Sequence, residues 1–174
     1  CNGRIYNKVE IDNSQYDNIG EIFWACGACF FVRNLVFKKF GGFDDLYWAH
    51  FEEIDLCWRL QNHGFKIRLN SKSLVYHANG GTLDHNSPHK TYLNYRNMLF
   101  TITKNSKNNL FFLLTEKLFI DAITAFYILF DKGILHFIAI IKAYLSFYKY
   151  INLLIKFRKN NKRNIKHYRI RSIT

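Results

Sequence analysis

Three acids, Glu52, Glu53 and Asp55, fall together in HFEEIDLCWRLQNHG (50–64). They open a stretch with helical spacing, where each is favoured by the positive end of the helix dipole. Adjacent acids cannot share one face of a helix, so one is free to point into a cleft while its neighbour caps or pairs. Asp55 and Arg59 stand four apart, the spacing of an intrahelical ion pair. Taken alone, these are ordinary N-terminal helix acids. His77 closes the run SLVYH (73–77) and leads to Gly80-Gly81, a place where backbone approaches a ligand closely. A lone His there serves structure more often than binding. Cys26-Gly-Ala-Cys29 has the spacing of a redox or zinc pair, but zinc takes four ligands and no second pair follows. Small apolar residues on a buried strand are the better reading of it.

The elements that must position these groups follow from periodicity. IFWACGACFFVR (22–33) is a nearly unbroken apolar run, which predicts a short entry followed by a buried strand over about 28–32. Arg33–Phe40 reads as a short helix stopped by Gly41-Gly42. Glu52 opens a helix with Ile54, Leu56, Cys57 and Leu60 inward, closed by Gly64. Short strands are expected at Lys66–Leu69 and Ser73–His77, then a polar loop through His89. Residues 90–104, 109–130 and 133–158 carry apolar residues at i, i+3, i+4 and i+7, predicting three helices.

Charge divides the chain in two. Residues 1–90 hold ten basic and ten acidic residues, whereas 91–174 hold fifteen basic and three acidic, the whole of the +12. The expected organisation is therefore 1–89, a helical region 90–158 and a basic tail 159–174. No span free of Lys, Arg, Asp and Glu in the helical region exceeds nine residues, which predicts that none of its helices crosses a bilayer. In the last helix Lys142, Lys149, Lys156 and Arg163 recur every seven residues, opposite Ile138, Ile141, Tyr144, Leu145, Tyr148, Ile151 and Ile155. That pattern fits a helix lying in a membrane interface, making residues 133–174 a candidate anionic-membrane surface, and it fits equally a helix packed on its own protein. Only Phe157 and Tyr168 interleave the basic residues after 156, too few for a stacking surface, so no specific nucleic-acid partner is expected. With 174 residues, 49% apolar and 18% aromatic, the chain is neither disordered nor low-complexity. It opens on Cys1 without a visible signal peptide and reads as a piece of something longer.

The order GACFFVRNLVFKKFGGFDD (27–45), HFEEIDLCWRLQNHGFKI (50–67) and SLVYHANGGT (73–82) resembles the acceptor-side half of a family 2 glycosyltransferase. YLNYRNML (92–99) is similar to the Arg-Asn segment of that family's bacterial rhamnosyltransferase-like branch. The resemblance covers roughly 22–105. It implies an α/β chain: the C-terminal part of a GT-A (Rossmann-like) domain followed by an amphipathic helical region. It also implies an inverting transfer of sugar from a nucleotide-sugar donor to a glycan or lipid-linked acceptor, in which Glu53, or its neighbour Glu52, is the base. Asp55, Trp48 and Arg59 would support the acceptor side. Trp48 and Tyr47 are a candidate sugar platform, while core packing is the expected use of at least two of Tyr47, Trp48, Phe51 and Trp58. His77 would ligate a divalent metal, Mn²⁺ or Mg²⁺, with the donor half present. The family's nucleotide-binding strands and Asp-x-Asp precede the matching segment, and no Asp-x-Asp occurs here, so weak or no nucleotide-sugar binding is expected of this chain alone. Frequent Asn, Lys and Ile suggest an AT-rich bacterial genome, hence surface polysaccharide synthesis at the cytoplasmic, inner face of the cell membrane. A membrane-associating scaffold without catalysis is the competing expectation.

Overall fold

A computed structural model describes residues 13–14, 17, 20–76, 84 and 86–162. The expected role of His77, Cys1, and the tail from Arg163 onward lie outside the described residues. In chain order the elements are β1 (Glu21–Ile22), α1 (Asn34–Lys39), α2 (Glu52–Asn62), β2 (Ile67–Arg68), α3 (Pro88–Asn105), α4 (Leu110–Asp131) and α5 (Ile134–Lys162). The described residues are thus mostly helical, and their strands form a two-residue antiparallel ladder pairing Glu21 with Arg68 and Ile22 with Ile67.

Helix boundaries follow local chemistry. Gly64 and Gly133 end α2 and α4 at φ +88°, the left-handed conformation glycine adopts without a Cβ penalty. The Phe65 N–H reaches back 3.1 Å to the Leu60 carbonyl, closing α2 in the same motif. Ser87 caps α3 by accepting from the His89 N–H at 3.2 Å, with Pro88 in the first turn, and Asn109 caps α4 through Phe111 N–H at 3.0 Å. After α1, Gly42 stands at φ +60°, and a Cβ there would meet the Phe37 ring at 2.9 Å. Only glycine fits that turn.

The core lies between α3 and α5, closed by the segment before α2 and by the first turn of α4. Tyr47, Leu99, Phe100, Ile102, Leu113, Phe147 and Leu154 form one buried cluster. Phe100 meets Phe147 at 6.4 Å and Tyr150 edge-on at 5.7 Å between ring centroids. This core runs across residue 90, joining the neutral front to the basic back. A charged residue completes it. Arg158, 5% exposed, donates to the carbonyls of Thr103, Ser106 and Asn108 at the C-terminus of α3, where the dipole favours a cation. It belongs to the core and not to a cationic surface.

Three expectations need correction. Residues 28–32 are not a buried strand: no ladder forms there, Phe31 is almost fully exposed, and Cys26 and Cys29 are exposed free thiols flanking a turn. Residues 73–76 likewise lie exposed without a ladder partner. Their apolar runs carry strand character, yet a strand forms only where another lies alongside, and among the described residues none does. Third, Ile134–Asn161 is long and apolar enough to cross a membrane by length and composition. Counting uninterrupted runs missed this, because Lys142 and Lys149 break the runs without outweighing the apolar residues between them. In the fold that helix packs along α3.

Candidate functional site

The segment joining α1 to α2 has an unusual backbone. Trp48, His50 and Phe51 all take positive φ, at 59°, 66° and 74°, which for such side chains costs on the order of 1–3 kcal/mol each. Strain of this kind persists only where surrounding contacts over-determine it. Those contacts come from α3. Asn97 Nδ2 donates toward the carbonyls of Tyr47 (3.1 Å), Ala49 (2.7 Å) and His50 (2.7 Å). Arg96 Nη2 donates to the carbonyls of Leu46 and Tyr47, both at 3.1 Å, and its Nε donates to Asn97 Oδ1 at 2.9 Å, which fixes the orientation of the amide. Arg96-Asn97 therefore clamps the strained segment from which α2 begins.

Asn97→Ala should strip the clamp and leave buried carbonyls unsatisfied, costing about 2–3 kcal/mol in urea unfolding. Asn97→Asp, which keeps the shape but has no N–H to donate, should cost at least as much. A loss below about 0.5 kcal/mol for both would contradict the clamp.

At the start of α2, Glu53 lies against Gly27, whose added Cβ would stand 3.7 Å from the Glu53 carboxyl carbon. Burial pushes the Glu53 pKa above the usual carboxylate value, and the neighbouring Glu52 charge adds to the rise. Backbone N–H groups of Glu53, Gly27 and Ile54 offset part of it. Glu52 Oε2, Glu53 Oε2 and His50 Nε2 are shielded from solvent and have no hydrogen-bond partner. Buried polar atoms are almost always paired, so three unpaired ones at one helix start mark a place where partners are expected to arrive. Burial and Lys90 lower the His50 pKa against the opposing pull of Glu52.

Asp55 has a different surrounding. It is 0% exposed, and its carboxylate receives Tyr47 OH (3.1 Å), Asn105 Nδ2 (2.7 Å) and Arg59 Nε (2.7 Å), with Lys104 Nζ at 3.0 Å. Burial alone would raise its pKa, but Lys104 and Arg59 outweigh that and hold it below the ordinary value. Lys104 also pairs with Asp44 at 2.6 Å, and Arg59 extends to the carbonyls of Phe40 and Gly42. With both carboxylate oxygens engaged, Asp55 and Arg59 support the site by anchoring α2 to α1 and α3. They do not face a ligand.

Trp48 is 67% exposed, its ring edge-on to His89 at 5.5 Å, while His89 stacks on Tyr92 at 5.9 Å. It has the exposure a sugar platform needs. Tyr47 is wholly buried in the core, which removes it from that role, and Phe51 and Trp58 are packed against the same core. The sequence pattern missed His50, Gly27, Lys104 and the clamp function of Arg96 and Asn97. YLNYRNML was the one available signal for the last two.

A divalent metal is what the resemblance implies. Among the described residues no three of His, Cys, Asp and Glu lie close enough together to hold one, so they do not supply a site, and no step is assigned to a metal.

No protein-family model and no solved structure matches the chain. Among curated proteins, the N-acetylglucosaminyl-diphospho-decaprenol L-rhamnosyltransferases of Mycobacterium tuberculosis strains CDC 1551 / Oshkosh and ATCC 25618 / H37Rv each match at 34% identity over 55 residues. The match takes in 31% of this chain and 18% of each relative, so the chain spans less than a fifth of their length. At that coarse level the chain is similar to a glycosyltransferase.

Proposed function

We propose that this chain is the acceptor-side part of an inverting family 2 glycosyltransferase of the GT-A fold, with Glu53 as the general base. The observation that carries the reading is the carboxylate pair at the start of α2. Its inner member has a raised pKa and an unpaired buried oxygen, the properties of a carboxylate placed to accept a proton. The partial likeness to rhamnosyltransferases supports it.

In the proposed step the acceptor hydroxyl oxygen attacks the anomeric carbon of the donor sugar. Its proton passes to the Glu53 carboxylate, the new glycosidic C–O bond forms, and the bond to the nucleoside diphosphate breaks on the opposite face with the electron pair. A single displacement inverts the anomeric centre. Glu52 tunes Glu53 by its charge, and Trp48 offers an apolar ring to a sugar face. The apolar runs at 28–32 and 73–76, without a ladder partner among the described residues, fit strands that complete a sheet with a nucleotide-binding half. A metal role for His77 rests on the resemblance alone. The acceptor is a glycan or lipid-linked glycan of a surface polysaccharide, and the setting is the cytoplasmic face of a bacterial membrane.

The test is transfer of labelled sugar from a nucleotide sugar to lipid-linked acceptor by the intact gene product. The isolated chain should show no turnover and no micromolar nucleotide-sugar binding by calorimetry. Micromolar binding to the chain alone would contradict the division proposed here.

A further inference from the structure

The hairpin of α4 and α5 turns outward an apolar surface that no other described element covers. The inward side of α4 is narrow: Leu113, Ala125 and Asp121, whose carboxylate pairs with Lys117 and accepts from Tyr144 OH at 2.8 Å. The rest is open. Phe111, Phe112, Phe119, Phe126, Tyr127 and Phe130 are each more than 60% exposed, Phe130 reaching 86%. At 100° per residue they spread over about half the helix circumference. These six aromatics expose on the order of 800 Å², taking about 200 Å² for a whole side chain. The largest patch on an ordinary monomer is about 300–600 Å².

The surface continues onto α5. Phe137, whose ring lies 6.1 Å from Phe126, and Tyr144 mark the side of α5 that meets α4. Exposed Ile141, Leu145 and Tyr148 come next around the helix. Lys142, Lys149 and Lys156 follow on the side farther from α4, all exposed. An aromatic and aliphatic face is thus bordered along its length by a lysine row.

We infer that this face docks on an anionic lipid bilayer, with α4 lying in the interfacial layer. Charge selects this occupant. Exposed Lys142, Lys149 and Lys156 border the face, so a second copy would bring like-charged rows together. An anionic surface instead attracts each juxtaposed lysine by about 1 kcal/mol. Lysine stems beside an apolar face extend their ammonium groups to headgroups while the face is buried. The placement differs from that expected of residues 133–174 alone, because the larger part of the apolar surface belongs to α4. It rests on packing and charge and is independent of the transferase reading.

The test uses the full chain with vesicles of phosphatidylcholine alone or mixed with phosphatidylglycerol. Sedimentation should favour the anionic vesicles by about tenfold or more, and part of the binding should survive at about 0.5 M salt, where surface charge is screened. Phe119→Ser/Phe126→Ser/Phe130→Ser should lower affinity by about tenfold or more with an unchanged far-ultraviolet circular dichroism spectrum. Phe130→Trp should gain emission that brominated acyl chains quench; it decides the matter alone if the triple variant misfolds. Three outcomes would overturn the inference: no vesicle binding; binding abolished by salt and indifferent to the triple variant, as a basic tail alone would give; or a wild-type dimer that the triple variant dissociates.

Discussion

Glu53→Gln should reduce sugar transfer by the intact enzyme about 10²–10⁴-fold, the usual value of a positioned general base, with the fold retained. Glutamine keeps the shape and the hydrogen-bonding length but cannot take the acceptor's proton. The loss should appear in kcat more than in KM, because the proton moves only as the glycosidic bond forms. The pH dependence gives a second readout. Glu53 must be ionised to act, and its pKa is raised, first by burial and then by Glu52. The acid limb of kcat/KM should therefore lie above the ordinary carboxylate range. Glu52→Gln removes a like charge and should move that limb to lower pH while activity persists. If Glu53→Gln keeps most of its activity and Glu52→Gln loses it, the base is Glu52.

Asp55→Ala should destabilise the fold by about 3–5 kcal/mol, the penalty for breaking a buried pair and leaving its partners charged. Arg59 at 2.7 Å and Lys104 at 3.0 Å would lose their common anion, and α2 would lose its carboxylate link to Lys104 and Asn105 of α3. Urea unfolding near neutral pH followed by circular dichroism measures the effect. The sign with pH follows from the lowered pKa. Asp55 contributes stability that is fully present above its unfolded pKa and disappears as pH falls through the folded value, so wild type and variant should converge in acid. Lys66→Ala, which breaks the half-exposed pair with Glu21, should change stability by less than about 1 kcal/mol. A loss for Asp55→Ala no larger than that would remove Asp55 from the centre of the fold.

The helices and their stops were legible because they depend on neighbours in sequence. Apolar spacing gave α2 through α5, and Gly64 and Gly133 gave the ends of α2 and α4. The Glu52-Glu53 placement was legible for the same reason. Residues whose meaning comes from distant partners were not. Lys104 reads as a solvated helix lysine, and only Asp44 and Asp55, sixty and forty-nine positions back, make it a core residue. Arg158 reads as one more solvated cation of the basic back, and only the carbonyl end of α3 makes it a core residue. Positive φ at Trp48, His50 and Phe51 has no sequence signal, since none is glycine and the force holding them is Asn97. The apolar runs at 28–32 and 73–77 misled because strand propensity describes a fit to a neighbour. α4 offered a clue that periodicity obscured: its aromatics lie on too many faces for one core contact, which fits a helix that meets apolar surroundings on more than one side.

The most direct measurement is the anomeric configuration of the product, determined by nuclear magnetic resonance after transfer from a nucleotide sugar of known configuration by the intact enzyme. A single displacement with Glu53 as base predicts complete inversion, with product formation lost in Glu53→Gln. A product with retained configuration, or inverted product formed at near wild-type rate by Glu53→Gln, would contradict the account.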